Sequence, residues 1–484
     1  MVFSSWQFAF FFLAVFAIYW SLPTRRSRHL LLLAASYLFY MAWNARLVTI
    51  VMGLTLFDYS VGILLERAAG DRRRKLLLVA SLTANLAVLA IFKYADFFIL
   101  SLRDLLASMG LHTGWQTLGI ILPVGISFHT FQTMSYTIDV YRRRIPACRS
   151  LIDFALFVAF FPQLVAGPIV KAVDFLPQLN AMKRFNWPRM DAAIVLFLIG
   201  LTKKLLIADS LGALIDPIFA DPTRFARRDL WLGMLCYGGQ IYCDFSGYTD
   251  MAIACARMLG FELCENFANP YLALGLSDFW QRWHISLSSW FRDYLYIPLG
   301  GSRNGPWRTY RNLLLTMLLA GLWHGASWTF VVWGAIHGAA LAVSKALPRA
   351  SNLLPRSIRT IGVWACTFLV VHIAWIFFRC QPMPVPGQAE FESASAALSR
   401  ACYYAEHLFI SPTPSNPVWL MNKPIMAALF LLMMGMQVYD EWRRSGRPAL
   451  RLPAPLAGVG YASWIAALVV LSPENTSPFI YFQF

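Results

Sequence analysis

Residues 313–347 read LLLTMLLAGLWHGASWTFVVWGAIHGAALAVSKAL, and this stretch decides the class of fold. Lys345, near its end, is its only charged residue. A helix needs roughly 17–25 apolar residues to cross the hydrocarbon core of a bilayer, so the run is long enough for two crossings. Two histidines, His324 and His337, interrupt it. Because an ionisable residue at membrane depth is costly, His324 is a candidate functional residue. His337 follows thirteen residues later, which is not a same-face spacing, and it is predicted to be structural.

The rest of the chain has the same apolar character. Of its 484 residues, 58% are hydrophobic and 14% are charged, and the mean hydropathy is +0.54. A soluble protein carries about 25% charged residues, because its surface must be hydrated. The apolar residues form long blocks rather than alternating patterns, which indicates that lipid is their solvent. The composition therefore excludes a set of soluble domains and predicts an all-α polytopic membrane protein with one membrane domain over 1–484.

Hydropathy blocks place the membrane spans. The predicted spans are 8–22, 29–43, 47–65, 75–98, 117–140, 312–329, 331–346, 361–378, 424–439 and 456–472. Between 150 and 310, residues such as Pro162, Gly167, Pro177 and Gly200 interrupt apolar sequence. Broken backbone at membrane depth is tolerated only where protein or a water-filled cavity satisfies it. We therefore expect short, re-entrant and tilted helices there, within a total of about 10–12 transmembrane helices.

Basic residues set the expected orientation. Lys and Arg number 41 against 25 Asp and Glu, a net charge of +16, and they gather in clusters between apolar blocks, such as 25–28, 72–75 and 142–144. In a membrane protein such clusters mark cytoplasmic loops, which argues against a nucleic-acid partner. Two spans separate successive clusters, so both termini and the segment 381–420 are predicted to face the periplasm. The first apolar run, 8–22, lacks a cleavage pattern and is predicted to be a retained helix.

Two histidines are the candidate catalytic residues. His324 lies about a dozen residues beyond the basic cluster ending at Arg311, or roughly 18 Å along a helix, which predicts a position near the membrane midplane. His284 precedes a second polar segment. An imidazole that is neutral at pH 7 accepts a proton readily, which suits a general base, although a packing histidine remains the alternative. Neither histidine has a carboxylate or thiol at helical spacing, and the eight cysteines lack metal-ligand spacing, so no metal is predicted.

Further polar residues break the apolar pattern before His284. Asp244 and Ser246 lie in QIYCDFSGYTD, residues 240–250, and Asp278 and Arg282 lie in SDFWQRWHISLSSW, residues 277–290. Trp323 directly precedes His324. These side chains are candidates for lining a tunnel or binding substrate. Capping the ends of broken helices is an equally good reading of the 240–250 segment.

At these motifs the sequence resembles the membrane-bound O-acyltransferases (MBOAT), and within them the bacterial alginate O-acetyltransferase membrane-subunit type. The matching stretches are QIYCDFSGYTD (240–250), SDFWQRWHISLSSW (277–290), FRDYLYIPLGG (291–301), LWHG (322–325), and WG (333–334) with HG (337–338). The resemblance covers nearly the whole chain, with a core block at about 120–340 and C-terminal helices at about 356–472. It implies helices arranged in a ring around a central tunnel or funnel through the bilayer.

The resemblance also implies a reaction. His324 falls on the family's histidine, which would act as general base. His284 falls on its upstream polar position, which would orient the acyl group or the acceptor, or polarise the thioester carbonyl. The implied donor is acetyl-coenzyme A from the cytosol, with no permanently bound cofactor, and Arg292, Arg303 and Arg308 either attract its phosphates or set topology. The implied location is the bacterial inner membrane.

The implied acceptor is a surface or periplasmic polysaccharide of alginate type, reached directly or through a periplasmic SGNH-type acetyltransferase partner. Acyl or D-alanyl transfer to peptidoglycan or teichoic acid is an alternative within the same family. A proton-coupled transporter is a third reading from another class of protein. Repeated halves are expected of a transporter and are not visible in the sequence, which disfavours that reading.

Overall fold

The computed structural model describes residues 1–120, 123–164, 167–347, 355–383, 392–410, 422–447, 453–471 and 479–480. All regular secondary structure within these ranges is helical. The predicted all-α class is therefore confirmed. Contacts divide the chain into two compact units, of which unit 1 comprises Met1–Phe197 and Tyr248–Glu265, and unit 2 comprises Leu198–Gly247 and Asn266–Phe484. The prediction of one domain over 1–484 stays a prediction.

Unit 1 consists of apolar helices of varied length. The unit boundary falls within the last helix of this series. The helices are Trp6–Ser21, Arg25–Met41, Val48–Arg67, Asp71–Leu89 with its continuations Ala90–Tyr94 and Ala95–Ser108, Ile126–Tyr141, Leu151–Ala159, Phe161–Leu164, Ala172–Leu179 and Trp187–Leu201.

Unit 2 holds the motifs that contain His284 and His324. Its long helix, Arg227–Met258, crosses the unit boundary after Gly247. The helices are Thr202–Asp209, Ser210–Ala220, Pro222–Arg224, Arg227–Met258, Pro270–Leu272, Leu276–Arg282, Ile285–Phe291, Arg292–Tyr296, Pro306–His324, Trp328–Ala346, Arg356–Arg379, Ala394–His407, Lys423–Arg444 and Ala454–Leu471.

Among the described residues, four helices are long and apolar enough to cross a membrane: Val48–Arg67, Asp71–Ser108, Trp328–Ala346 and Arg356–Arg379. Two shorter apolar helices, Trp6–Ser21 and Gly458–Leu471, add to them. The protein is therefore a multi-pass membrane protein. The predicted total of about 10–12 spans also includes helices that are shorter or more polar than these.

Several predicted boundaries differ from the structure. In the predicted span 117–140, the described residues 117–120 and 123–125 are not helical, and the helix Ile126–Tyr141 follows Gly125, which is in the left-handed region at φ 72°. The predicted span 312–329 ends at His324, where Gly325 is extended, and the next helix begins at Trp328. The Ser327 hydroxyl accepts a hydrogen bond from the Thr329 amide at 3.3 Å, and this cap starts the new helix earlier than hydropathy indicates.

The middle of the chain contains the expected short helices, such as Leu276–Arg282 and Ile285–Phe291, but also the 32-residue helix Arg227–Met258. Glycines do not break this helix, because they serve close packing. A Cβ at Gly247 would lie 2.7 Å from the carbonyl oxygen of Gly200, on a neighbouring helix of the same unit. Gly247 therefore permits a close helix–helix contact, and Gly200, predicted as a break, lies inside the helix Trp187–Leu201.

Two helices of unit 2 form the frame of the site. Pro306–His324 and Trp328–Ala346 pack closely along their length as consecutive helices. A Cβ at Gly321 would overlap the carbonyl oxygen of Phe330, and one at Gly334 would overlap that of Met317. Small residues at these two positions let the backbones approach, as is typical of helix pairs in membranes.

Candidate active site

His324 is the last residue of the helix Pro306–His324, and its side chain is buried, with 3% of its surface exposed. Gly325 follows in extended conformation and leaves room for the ring of Phe330, which stacks on the imidazole at 6.4 Å between centroids. A side chain at position 325 would overlap that ring. The helix end and the glycine together set where the imidazole lies.

His284 lies in the two-residue turn between Leu276–Arg282 and Ile285–Phe291, and it is fully buried. Its φ of 43° is in the left-handed region, which costs a residue other than glycine about 1–3 kcal/mol. Asn266 holds the turn in this conformation. The Asn266 carbonyl accepts from the Ile285 amide at 2.9 Å, and its side-chain oxygen accepts from the Ser286 hydroxyl at 2.9 Å. The strain and its supports fix the direction of the His284 ring.

The structure brings the two histidines together, with 6.4 Å between their ring centroids. The Trp323 ring contacts both imidazoles, with 6.0 Å to His284 and 5.1 Å to His324 between ring centroids. Phe245, on the helix Arg227–Met258, packs edge-on against His284 at 4.7 Å. We call the two histidines and the rings around them the histidine pocket.

Aromatic rings form the wall of the histidine pocket on the His324 side. Trp333 and Phe378 each meet the His324 imidazole edge-on, both at 5.1 Å between centroids. Phe330 packs in turn against Phe378 at 4.8 Å. These three wall rings are at most 1% exposed. A wall of this kind excludes bulk water and strengthens polar interactions made inside it.

His337 lies beside this wall rather than at the His284–His324 pair. The His337 ring contacts Trp333 at 4.9 Å and Trp280 at 5.0 Å, measured between ring centroids. It is fully buried, and neither ring nitrogen has a hydrogen-bond partner within the described part of the chain. His337 therefore supports the Trp333 ring that faces His324.

Asp244, a predicted tunnel-lining residue, is anchored in a buried ion cluster. The Lys204 ammonium lies 2.7 Å from Asp244 and 2.8 Å from Asp209, and all three side chains are nearly inaccessible. The second Asp244 oxygen accepts a hydrogen bond from the Ile480 amide at 2.7 Å. The cluster fixes the helix turn that carries Phe245, the neighbour of His284. Ser246, the other predicted residue here, is also buried.

Asp278 and Arg282, also predicted near the site, make their hydrogen bonds elsewhere. Asp278 accepts from Arg282 at 2.8 Å and from the Leu274 amide at 2.8 Å. Arg282 also reaches Glu441 at 3.2 Å, and each of these charged side chains is a quarter or more exposed. The structure thus ties both residues to the loop before Leu276 and to the helix Lys423–Arg444.

Sequence reasoning missed several residues of the site. Lys204 carried a signal, because a lysine within apolar sequence marks a site by the same rule that singled out His324. Phe245 and Phe378 carried none, because phenylalanine is common in every apolar helix and the contacts join distant parts of the chain. No group of three or more His, Cys, Asp or Glu side chains is gathered for a metal among the residues that the structure describes.

The pocket has the groups that proton transfer needs: two buried imidazoles, 6.4 Å apart, within an aromatic wall. An imidazole in such a place accepts a proton from a hydroxyl held in the gap and returns it to a leaving group. The second imidazole donates to, or orients, the group being transferred. This arrangement suits acyl transfer.

Comparison with known proteins agrees with this chemistry. The family model of the membrane-bound O-acyltransferase family, MBOAT, matches residues 32–383. A probable alginate O-acetylase AlgI from Pseudomonas putida is 40% identical over 501 residues, covering all of both chains. A peptidoglycan O-acetyltransferase from Helicobacter pylori is 37% identical over 376 residues, which cover 72% of this chain and 70% of the relative.

A teichoic acid D-alanyltransferase from Streptococcus thermophilus is more distant, at 27% identity over 261 residues, covering 50% of this chain and 61% of the relative. The family match spans most of the chain and includes both histidines of the pocket. The enzyme class and the all-helical membrane fold predicted from the sequence are therefore confirmed. The chain belongs to the membrane-bound O-acyltransferase family.

Proposed function

We propose that this enzyme takes an acetyl group from cytosolic acetyl-coenzyme A and delivers it across the inner membrane for O-acetylation of an alginate-like polysaccharide. The observation that carries the proposal is the pair of buried histidines, 6.4 Å apart between ring centroids, inside an aromatic wall. The full-length identity of 40% to a probable alginate O-acetylase supports the choice of acceptor.

In the proposed reaction His324 is the general base. It takes the proton of the acceptor hydroxyl as that oxygen attacks the thioester carbonyl. The carbon–sulfur bond then breaks, and the protonated imidazole returns the proton to the leaving thiolate. His284, held by Asn266, orients the acyl group or polarises its carbonyl. Trp323, in contact with both imidazoles, keeps their separation.

The other predicted site residues have supporting roles in this proposal. Asp244 acts through its ion pair with Lys204, which positions the helix turn carrying Phe245. Asp278 and Arg282 hold the helix that leads into His284. Ser246, buried one residue beyond Phe245, is proposed to line the path of the acyl group.

The acceptor is reached directly or through a periplasmic SGNH-type acetyltransferase partner. A second candidate is transfer to peptidoglycan, favoured by the 37% identity to a peptidoglycan O-acetyltransferase over 72% of this chain. Teichoic acid D-alanylation is less favoured, because that relative matches only half of the chain, at 27% identity.

The test uses purified protein in liposomes with radiolabelled acetyl-coenzyme A. His324→Ala is expected to lower thioester consumption by roughly 10²–10⁴-fold, the usual cost of losing a general base. His284→Ala should impair transfer too. His337→Ala is the matched control, since it removes a buried imidazole of the same unit, and it should cost less.

Each variant is checked for insertion and for its thermal unfolding temperature. Near-normal turnover by folded His324→Ala protein would refute the general-base role. A wild-type protein that consumes no acetyl-coenzyme A, with a periplasmic partner and candidate polysaccharide present, would refute the donor. Label recovered on alginate but not on peptidoglycan is the expected result, and the reverse would favour the second candidate.

A further inference from the structure

A second polar feature lies in unit 1, between the helices Ala172–Leu179 and Trp187–Leu201. It is an open pocket of about 620 Å³, and we call it the basic pocket. Its polar lining residues are Gln178, Lys183, Arg184, Asn186 and Arg189, and the lining is completed by Met182, Phe185 and Gly260. Three of these are cations and none is a carboxylate. Nothing in the proposed acyl transfer uses this pocket.

The walls of the basic pocket are held in place by other residues of unit 1. Arg25 donates to the Asn180 carbonyl at 2.7 Å, and Arg28 donates to the Lys183 carbonyl at 2.9 Å. The Gln178 side chain, which also lines the pocket, makes two hydrogen bonds with the Glu262 backbone, at 2.8 and 2.9 Å. These hydrogen bonds preorganise the pocket, and two of their donors, Arg25 and Arg28, are further cations.

The positive charge of the basic pocket exceeds the negative charge beside it. Glu262 is shared by two arginines, Arg189 and Arg257, the latter at 3.0 Å. The pKa of Lys183 is lowered, first by burial and second by repulsion from Arg189. The negative charge of Glu262 raises this pKa but does not offset the lowering. A bound anion would relieve this repulsion.

The rim of the basic pocket is aromatic and exposed. Phe185 packs between Trp20 and Trp187, at 5.3 and 4.9 Å between ring centroids. Trp187 is 74% exposed and Phe185 40% exposed. Tryptophan beside lysine and arginine is typical of the level at which lipid headgroups meet the hydrocarbon. An anion at this level lies among lipids.

We propose that the basic pocket binds the phosphate group of an anionic phospholipid, with the aromatic rim beside the glycerol and upper acyl chains. Lys183 and Arg184 contact the phosphate, and Arg189 contributes its charge from the Glu262 ion pair. Clusters of cations at a membrane surface recognise anionic headgroups in this way. A soluble phosphate compound shares the chemistry of the phosphate, so the test must separate the two sources.

The experiment is native mass spectrometry of the full-length protein, titrated with phosphatidylglycerol against phosphatidylcholine. Lys183→Gln/Arg184→Gln is expected to weaken the tightest phosphatidylglycerol binding by a factor of about five per charge removed. The matched control is Arg72→Gln/Arg73→Gln, which removes two exposed charges elsewhere in unit 1 and should change that affinity less than about twofold. Coenzyme A and pyrophosphate are added in parallel as soluble competitors.

Selective weakening in the pocket variant, without displacement by the soluble compounds, is the expected result. Equal weakening in both variants would overturn the proposal, because the attraction would then be general to the charged surface. Displacement by coenzyme A or pyrophosphate would overturn the lipid assignment in favour of a soluble phosphate. If the double variant does not fold, the single variant Arg184→Gln, at an exposed residue, replaces it, and its phosphatidylglycerol affinity is compared with that of the control.

Discussion

At the scale of single residues, Gly325 controls the surroundings of His324. A Cβ at this position would overlap the ring of Phe330, which stacks on the His324 imidazole and is 1% exposed. Gly325→Ala is therefore expected to displace that ring and lower acyl transfer by about tenfold or more, since misplacing a catalytic group by about 1 Å can cost 10²-fold. The measurement is thioester consumption in liposomes.

Two further variants separate the overlap with Phe330 from a general effect of adding a methyl group. Gly435→Ala adds the same methyl group to another helix of unit 2, where nothing lies within 4 Å, and it should leave transfer unchanged. Phe330→Leu makes room for the added methyl, so Gly325→Ala/Phe330→Leu should recover part of the lost rate. Full activity of Gly325→Ala alone would show that the Phe330 ring does not set the position of His324.

Sequence alone predicted the pair His284 and His324 and their neighbour Trp323, because polar residues in apolar sequence and a family motif both carry local signals. It did not predict that Phe245 packs on His284 or that Phe378 packs on His324. Such contacts depend on how helices far apart in sequence come together. The two histidines were therefore predictable, whereas Lys204 and the aromatic wall were not predicted, and Asp278 and Arg282 make their hydrogen bonds elsewhere.

At the scale of helices, the buried ion cluster of unit 2 joins two of them. Lys204 lies in the π-helical segment Thr202–Asp209, and it pairs with Asp209 of the same segment and Asp244 of the helix Arg227–Met258. Lys204→Met leaves two buried carboxylates without their shared cation. Removing one partner of a buried ion pair costs about 3–5 kcal/mol, so we expect a large fall in thermal unfolding temperature in detergent.

The matched control for this change is Arg444→Gln, which breaks an ion pair with Asp440 on the helix Lys423–Arg444. Both of these side chains are 40% or more exposed, and an exposed pair contributes about 0–1 kcal/mol. A similar unfolding temperature for both variants would contradict the anchoring role of the cluster. A drop in stability of Lys204→Met with a parallel loss of transfer would link the cluster to Phe245 and His284.

Helix existence was predictable where apolar runs are long, as in Val48–Arg67 and Arg356–Arg379. Helix ends were not predictable. Gly325 and the Ser327 cap separate two helices within one apolar run, and hydropathy alone does not show at which residue the first helix ends. The long helix Arg227–Met258 was not predicted, because short and tilted helices were expected throughout 150–310. Its glycines do not interrupt it and serve close packing.

At the scale of the whole molecule, the proposed transfer of acetyl from a cytosolic donor to an outer acceptor requires a fixed orientation. The basic clusters predict such an orientation, because loops rich in Lys and Arg are retained on the cytoplasmic side. The apolar composition and the low content of charged residues predicted a protein that crosses the membrane several times. Hydropathy and charge predict the orientation only through the parity of the spans, so a direct measurement is the sharper test.

Two single-cysteine proteins measure that orientation. Cys402 is exposed on the helix Ala394–His407, within the segment 381–420 predicted outside, whereas exposed Arg73 belongs to a predicted cytoplasmic cluster. With all other cysteines replaced, a membrane-impermeant maleimide should label Cys402 in intact spheroplasts, and Arg73→Cys only after permeabilisation. Lys75→Cys, in the same cluster, serves as a second inside position. Labelling of Arg73→Cys in intact spheroplasts would reverse the orientation and place the donor side of the enzyme outside.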